Sequence, residues 1–268
     1  MTAPGLIDVL KSLPAARGAY SARGRVGTAP EAALRLDAPS PAVLEAWLAA
    51  ERARAPGGDD RLAAAYLLGS VAFSVSEILA ALVLRGVLPG VLPGAAVVAR
   101  RARWEKNGES GEGIAYDMVF ADGALVACPD PAAGFGAALI ALFAPLVAAL
   151  QPRSGLSRGA LWRLVGDGLS AALLARGKET GREEAAMGIA SAILRDRASP
   201  LQSRQTGFVE VSAPGRPGIR EWFRVRGGCC RYYTSAGGEY CTTCVLRDEE
   251  SRRARLEEYL RRKHGLAA

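Results

Sequence analysis

The 268-residue chain is half hydrophobic, carries a formal charge of +7 and contains one histidine. That length and apolar content can bury one large core, or a core with an appendage. A single histidine excludes a histidine metal cage and a Rieske centre, and leaves a Ser-His-Asp triad only His264, near the C-terminus, to draw on.

In chain order, Met1 to Gly58 reads as small helices and loops, with short pieces at Pro30–Leu36 and Pro41–Ala55; Ser40-Pro41 offers the second a helix start. Met1–Asp8 lacks a basic stretch followed by a long apolar one, so no secretory signal is expected. Arg61–Arg85 predicts a buried helix, apolar across Leu62–Leu84 except for serines, Tyr66 and Glu77. The tandem repeat Gly86–Gly94, with prolines and glycines, stops it and reads as a rigid loop. Strands are expected at Ala95–Trp104 and Ile114–Cys128, the latter broken at Ala121-Asp122-Gly123, where Asp-Gly suits a hairpin. Gly108-x-x-Gly111-x-Gly113 has the wrong order for a dinucleotide fingerprint and reads as a hairpin loop.

Helices resume at Ala132–Leu150, Ser157–Arg176 and Thr180–Arg195, the last opening on a capping-box pattern, Thr180 to Glu183. A strand pair follows at Gly207–Ser212 and Ile219–Arg226, leading straight into Cys229. Asp248–Lys263 reads as a terminal helix with i,i+4 pairs Glu249–Arg253, Glu257–Arg261 and Glu258–Arg262 and a narrow apolar stripe of Leu256, Tyr259 and Leu260. The fold class is α+β: a helix-dominated body, a small antiparallel sheet and a C-terminal cysteine-rich segment. Ala132–Leu150 holds no charge, but it carries Pro145 and is diluted by alanine and glycine; membrane insertion is not expected, and peripheral association stays open.

Charge is uneven: from Arg216 to Ala268 there are 12 Lys+Arg against 7 Asp+Glu, so this tail carries +5 of the total. A basic region of this kind attracts an anionic chelate or an acidic protein. No nucleic-acid motif accompanies it, so nucleic acid is not expected as a partner.

The chemistry concentrates in the cysteines. Four of five fall within 16 residues, as Cys229-Cys230-x10-Cys241-x2-Cys244, while Cys128 stands apart as a small apolar residue. Four thiols this close hold zinc or an iron–sulfur cluster, form disulfides, or exchange thiols. Without export the cytosol keeps thiols reduced, and no thioredoxin-like βαβ setting surrounds Cys241, which leaves metal or cluster. An adjacent Cys-Cys pair is a poor zinc knuckle, because neighbouring side chains diverge unless the backbone bends sharply.

This segment resembles the FhuF-like ferric-siderophore reductases: Cys229, Cys230, Tyr233, Gly237, Gly238, Cys241 and Cys244 stand in the register of that family's C-C-x10-C-x2-C signature, with Val245 where a proline is common. The resemblance implies that Cys229, Cys230, Cys241 and Cys244 hold a [2Fe–2S] cluster and that the chain reduces ferric iron in siderophore chelates by one electron, releasing Fe(II). Without an export signal the protein is expected to be cytoplasmic, or peripheral at the inner face of the cell membrane. Fe(II) is softer and less charged than Fe(III), so reduction loosens a hard oxygen chelate. The alternatives are a non-enzymatic protein with a structural four-cysteine zinc site and an iron–sulfur sensor. Residues 1–217 would be a mainly helical, substrate-binding scaffold without a cofactor of its own, and residues 218–268 the cluster-binding segment with its terminal helix. Arg224, Arg226, Arg231 and Tyr233 are candidate contacts for an anionic or hydroxamate-type chelate; strand alternation sets Trp222, Arg224 and Arg226 on one face and Phe223 and Val225 on the other. Arg226 and Arg231 are also placed to stabilise a reduced cluster, and backbone N–H groups of Gly237, Gly238 and Thr242 or Thr243 to bond its sulfurs. With no nucleotide fingerprint in view, electrons are expected from a separate donor protein.

Overall fold

The computed structural model describes residues 5–13, 18–54, 57–106 and 109–266. Met1–Pro4, Ala55 and Gly108 therefore lie outside the described residues. Among the described residues seven α-helices and eight strands make an α+β fold whose apolar centre is helical.

Asp60–Val83 (α3) is the hub: 18 of its residues are buried, and Asp59 caps it by accepting from the Leu62 N–H at 2.8 Å. A helix apolar all round must be enclosed. It is enclosed by Pro41–Arg54 (α2), Pro131–Ser154 (α4) and Arg158–Thr180 (α5), with Glu183–Arg195 (α6) behind α4 and α5. Glu77, the one carboxylate inside the α3 run, is 1% exposed and meets the equally buried Arg176 of α5 at 3.3 Å. Helices α3 and α4 are both long and apolar enough to cross a membrane by length and composition, with 78% and 50% of those stretches buried within the fold.

Gly168 sets the approach of α5 to α3. A Cβ there would lie 2.7 Å from the Phe73 backbone nitrogen, so only glycine permits the contact. Large side chains then interlock around this seam, each contributing about 1.5–3 kcal/mol by burial.

Against α3 lies a four-stranded sheet of order Gly24–Val26 (β1), Glu109–Phe120 (β5), Ala96–Lys106 (β4) and Leu34–Arg35 (β2). It is mixed rather than purely antiparallel, because β1 runs parallel to β5. Pro30–Leu36, expected as a helical piece, contains strand β2: Leu34 and Leu36 are buried while Arg35 is exposed, a period of two. Strand β5 begins at Glu109, so Gly111 and Gly113 sit inside the ladder and not in a loop. A Cβ on Gly113 would lie 2.2 Å from the Tyr20 hydroxyl, which explains a glycine mid-strand.

Asp122-Gly123 does not make a hairpin. Asp122 folds its carboxylate onto the Ala124 N–H at 2.6 Å, and the chain leaves the sheet. Leu125–Ala127 (β6) pairs instead with Val87–Pro89 (β3), so the repeat expected to be a rigid loop begins as a strand. The capping box at Thr180 is also absent. Thr180 ends α5, donating its hydroxyl to the Arg176 carbonyl, and left-handed Gly181 closes the helix.

The chain then forms a hairpin, Gly207–Ala213 (β7) with Arg216–Val225 (β8), spanning residues 217 and 218. Glu249–Lys263 (α7) lies on it: Leu256 and Leu260 bury against Val211 and Ala213, with Phe223 alongside. On α7 the expected Glu258–Arg262 pair forms at 3.3 Å, while Arg253 pairs with Glu257 in place of Glu249 and Arg261 with Glu258 in place of Glu257.

Candidate functional site: a four-cysteine loop beside a basic cleft

Strand β8 alternates as expected. Phe223 packs toward α7, while Arg224 and Arg226 face α5. Their partner is Asp167, a residue that motif reading passed over. It is 2% exposed, in the middle of α5.

Its carboxylate accepts from the Gly227 N–H (2.8 Å), the Gly228 N–H (3.0 Å), the Thr206 hydroxyl (3.2 Å) and Arg226 Nε (3.1 Å). Its carbonyl accepts from Arg224 Nη1 at 2.6 Å. Asp167 thus holds the two residues that precede Cys229. Both sit in close quarters: a Cβ on Gly227 would lie 2.3 Å from Thr206 Oγ1, and one on Gly228 3.1 Å from the backbone of Arg163 and Leu164, so a side chain at either position would force its neighbours to shift. The sequence does hint at Asp167, as a lone acid between Gly166 and Gly168 in an apolar helix.

The sharp bend that an adjacent Cys pair needs comes next. Arg231 has φ +61°, the one left-handed non-glycine residue among those described, and its N–H reaches Cys229 Sγ at 3.4 Å. Such a conformation costs about 1–2 kcal/mol. Arg231 also reaches Asp59, the α3 cap, at 3.4 Å, and its Nε is buried without a hydrogen-bond partner.

Tyr232–Thr234 makes one 3-10 turn, then Gly237, left-handed at φ +70°, and its neighbour Gly238 return the chain toward Cys241. The Gly238 N–H goes to the Ser235 carbonyl, not to sulfur, and a Cβ there would lie 2.0 Å from the Tyr232 carbonyl oxygen. Backbone donors to sulfur come from elsewhere: Arg231 to Cys229, Tyr232 to Cys230, and Leu246 to Cys244 at 3.5 Å.

The thiols feel one another. The hydrogen bond between Cys230 and Cys241 lowers Cys230 to about 5, outweighing burial, with Arg226 helping; the same bond, with burial, raises Cys241. Burial pushes Cys229 up, and the charges of Cys244 and Cys230 act in the same direction. Arg226 is the cation of this group. Burial alone would lower its pKa, but Asp167, Cys230 and Cys241 raise it overall, and its Nη1 stands 4.0 Å from Cys241 Sγ. Burial lowers the pKa of Arg224, against the pull of Asp167. Cys128 is buried far away, donating to the Asp130 carbonyl at 3.4 Å.

Cys230 and Cys241 open onto a cleft of about 530 Å³. One wall is Arg224, Arg226 and Tyr232; the other comes from α3 and β5, with Tyr66 and Ser70. Burial, then the nearby Cys230 and Tyr232, pushes Tyr66 up to about 12, so its hydroxyl stays a donor. Of the four candidate substrate residues, Arg224 and Arg226 line this cleft. Arg231 and Tyr233 do not line it: Arg231 turns to Asp59, and Tyr233 packs edge-on to Tyr240 at 5.0 Å between centroids.

Residues 226–246 match the family model of the FhuF 2Fe-2S C-terminal domain. This segment is FhuF-like. The cofactor of such a domain is a [2Fe–2S] cluster, and the match covers every residue from Arg226 to Leu246. Comparison with curated proteins gave no match. The FhuF-like segment suits the cluster chemically. It offers four neighbouring thiols, one already acidified, with backbone N–H groups aimed at sulfur and a part-buried cation beside them, a set that would fit such a cluster. Among the described residues no group of three or more His, Cys, Asp or Glu side chains is already gathered around a single point.

Proposed function

We propose that the protein is an oxidoreductase that passes one electron to ferric iron in an anionic, oxygen-donor chelate of the siderophore type, with Cys229, Cys230, Cys241 and Cys244 as ligands of its [2Fe–2S] cluster. The observation that carries this is the opening of Cys230 and Cys241 onto a cationic, phenol-lined cleft large enough for a small chelate. A buried structural zinc site has no need of such an opening. When bound, the cluster supplies a one-electron carrier whose potential depends on charge and on hydrogen bonds to sulfur.

The chain's own residues do the rest. Arg224 and Arg226, fixed by Asp167, present positive charge to the chelate without moving. Tyr66 donates a hydrogen bond from the opposite wall. Arg226 also lies next to the thiolates, where its charge favours the more negative, reduced state. Release of Fe(II) follows from the weaker hold of hard oxygen donors on the reduced ion.

The test is a single turnover. Protein purified anaerobically is assayed for iron and sulfide, reduced chemically, freed of reductant and mixed with ferric chelates in the presence of an Fe(II) trap. Recovery of the oxidised visible spectrum should match trapped Fe(II) one for one. Serine at Cys230 should abolish the spectrum, and Cys128→Ala should leave it unchanged. A reduced protein that no ferric chelate reoxidises would point to a sensor. A colourless protein holding one zinc would overturn the cluster itself.

A further inference from the structure

A second opening lies on the other side of Asp167. It measures about 760 Å³ and is lined by Arg195, Arg197, Gln202, Arg204, Thr206 and Trp222. Thr206 is the residue whose hydroxyl donates to Asp167, and Asp167 itself lines the cleft described above. The two openings are therefore separated by one layer of residues, the layer that holds Gly227 and Gly228.

Among the described residues no acidic side chain lines this second opening. Arg195, Arg197 and Arg204 are exposed, as is Arg163, whose backbone abuts Gly228. Among the described residues none of the four has a carboxylate partner. The nearby acid, Asp196, turns its carboxylate back onto the Ala198 N–H at 2.9 Å, so it neutralises its neighbours only in part. The arginines are also well anchored. Arg195 ends helix α6, and the loop bearing Arg204 is tied by the Ser203 N–H to the Leu194 carbonyl at 2.9 Å.

We infer that this face is the docking surface for an acidic one-electron donor protein. Exposed arginines on a helix end and a loop suit a broad acidic surface better than a small anion, which calls for buried, convergent donors. Trp222 supplies the amphipathic aromatic that such interfaces favour at their centre. The position has a functional sense as well. A donor seated here approaches the turn before Cys229 from one side while the chelate occupies the cleft at Cys230 and Cys241, so neither blocks the other. One electron is lost by the donor and one gained by the ferric iron of the chelate, and no atom need be transferred.

This inference rests on the function proposed above, and the experiment separates the two. Holoprotein is mixed in a stopped-flow instrument with a chemically reduced plant-type ferredoxin, a small acidic one-electron carrier, and bleaching of the visible spectrum is followed against salt. The wild-type rate should fall steeply with salt. The triple variant Arg195→Glu, Arg197→Glu, Arg204→Glu should be slower by about tenfold or more at low salt and lose that dependence. Its thermal unfolding, its photoreduction by a neutral deazaflavin and its reoxidation by a ferric chelate should match wild type. An unchanged rate and salt slope in the variant would overturn the docking surface. So would a variant that fails equally in chelate reoxidation, since the face would then belong to the substrate, or arginine-dependent binding to anionic lipid vesicles with no response to ferredoxin. Normal donor kinetics with no chelate turnover would sink the proposed function and leave the docking surface standing.

Discussion

Asp167 carries more of the site than any residue outside the cysteine loop. A carboxylate that is 2% exposed and accepts two glycine N–H groups, a hydroxyl and a guanidinium is satisfied only as a complete set. Asp167→Asn keeps the shape but offers one acceptor in place of two and turns an N–H toward groups that also donate. Arg226 is then left buried without its counter-ion. Breaking such a pair costs about 3–5 kcal/mol. The variant should melt well below wild type and hold its [2Fe–2S] cluster weakly, seen as a low iron-to-protein ratio. A melting temperature and spectrum equal to wild type would show that the glycine turn stands without this support. Cys128→Ala is the matched control, since that thiol only packs and bonds a nearby carbonyl.

At the scale of elements, the hairpin β7–β8 is held between α5 and α7, and Glu221 of β8 is where they meet. It accepts from Lys178 of α5 at 3.1 Å and from Lys263 of α7, and His264 stands 3.7 Å away. Burial would raise its pKa, but Lys263 and Lys178 bring it below the ordinary 4.5. A depressed carboxylate adds stability that is full above its unfolded value and is lost as pH falls through its folded one. Attachment of α7 should therefore weaken below about pH 4.5 and hold at neutral pH. Amide exchange of residues 249–263 across an acid series is the measurement, and Glu221→Gln should flatten the response. An acid response in α7 that persists unchanged in that variant would assign it to other carboxylates. Elements of this kind were partly legible from the residues. The buried helix α3, the strand β4 and the terminal helix follow from long periodic runs. What escaped depends on distant partners. Strands β2 and β3 are two and three residues long, too short to be read as strands from sequence, and exist because β4 and β6 supply their hydrogen bonds. The Asp-Gly turn at 122 resembles a hairpin locally, but the chain beyond it finds a better partner in β3.

The whole molecule divides into a body that folds on apolar burial and a segment that does not. Nearly all buried hydrophobic residues lie in one cluster built on α3, α4 and α5, with a small second cluster under α7. From Cys229 to Leu246 the chain has one 3-10 turn, and Cys244 is the buried residue of that stretch. The cysteine pattern was visible in the sequence because adjacent cysteines and a C-x-x-C are local. The cleft was not, because its walls come from α3 and β8, more than a hundred residues apart. Among the described residues the segment is tethered by Asp167 through the preceding glycines, by the Arg231–Asp59 pair, by Arg226 beside Cys241, by the edge-on Tyr66–Tyr232 contact and by the close approach of Ala236 to Gly57, few contacts for eighteen residues. Its order must then come in large part from the cluster, since metal-site binding free energy becomes folding free energy where little core exists. Removing the cluster anaerobically with a chelator should leave the helical circular dichroism of the body unchanged. Amide exchange in residues 229–246 should accelerate strongly, α3 and α5 should keep their protection, and the cleft should lose Tyr232 from one wall while Arg224 and Arg226 stay on Asp167. Reconstitution with iron and sulfide should restore both protection and colour. Cooperative loss of α3 protection on cluster removal would show that body and segment fold as one unit, and full protection of 229–246 without the cluster would show that the tethers suffice alone.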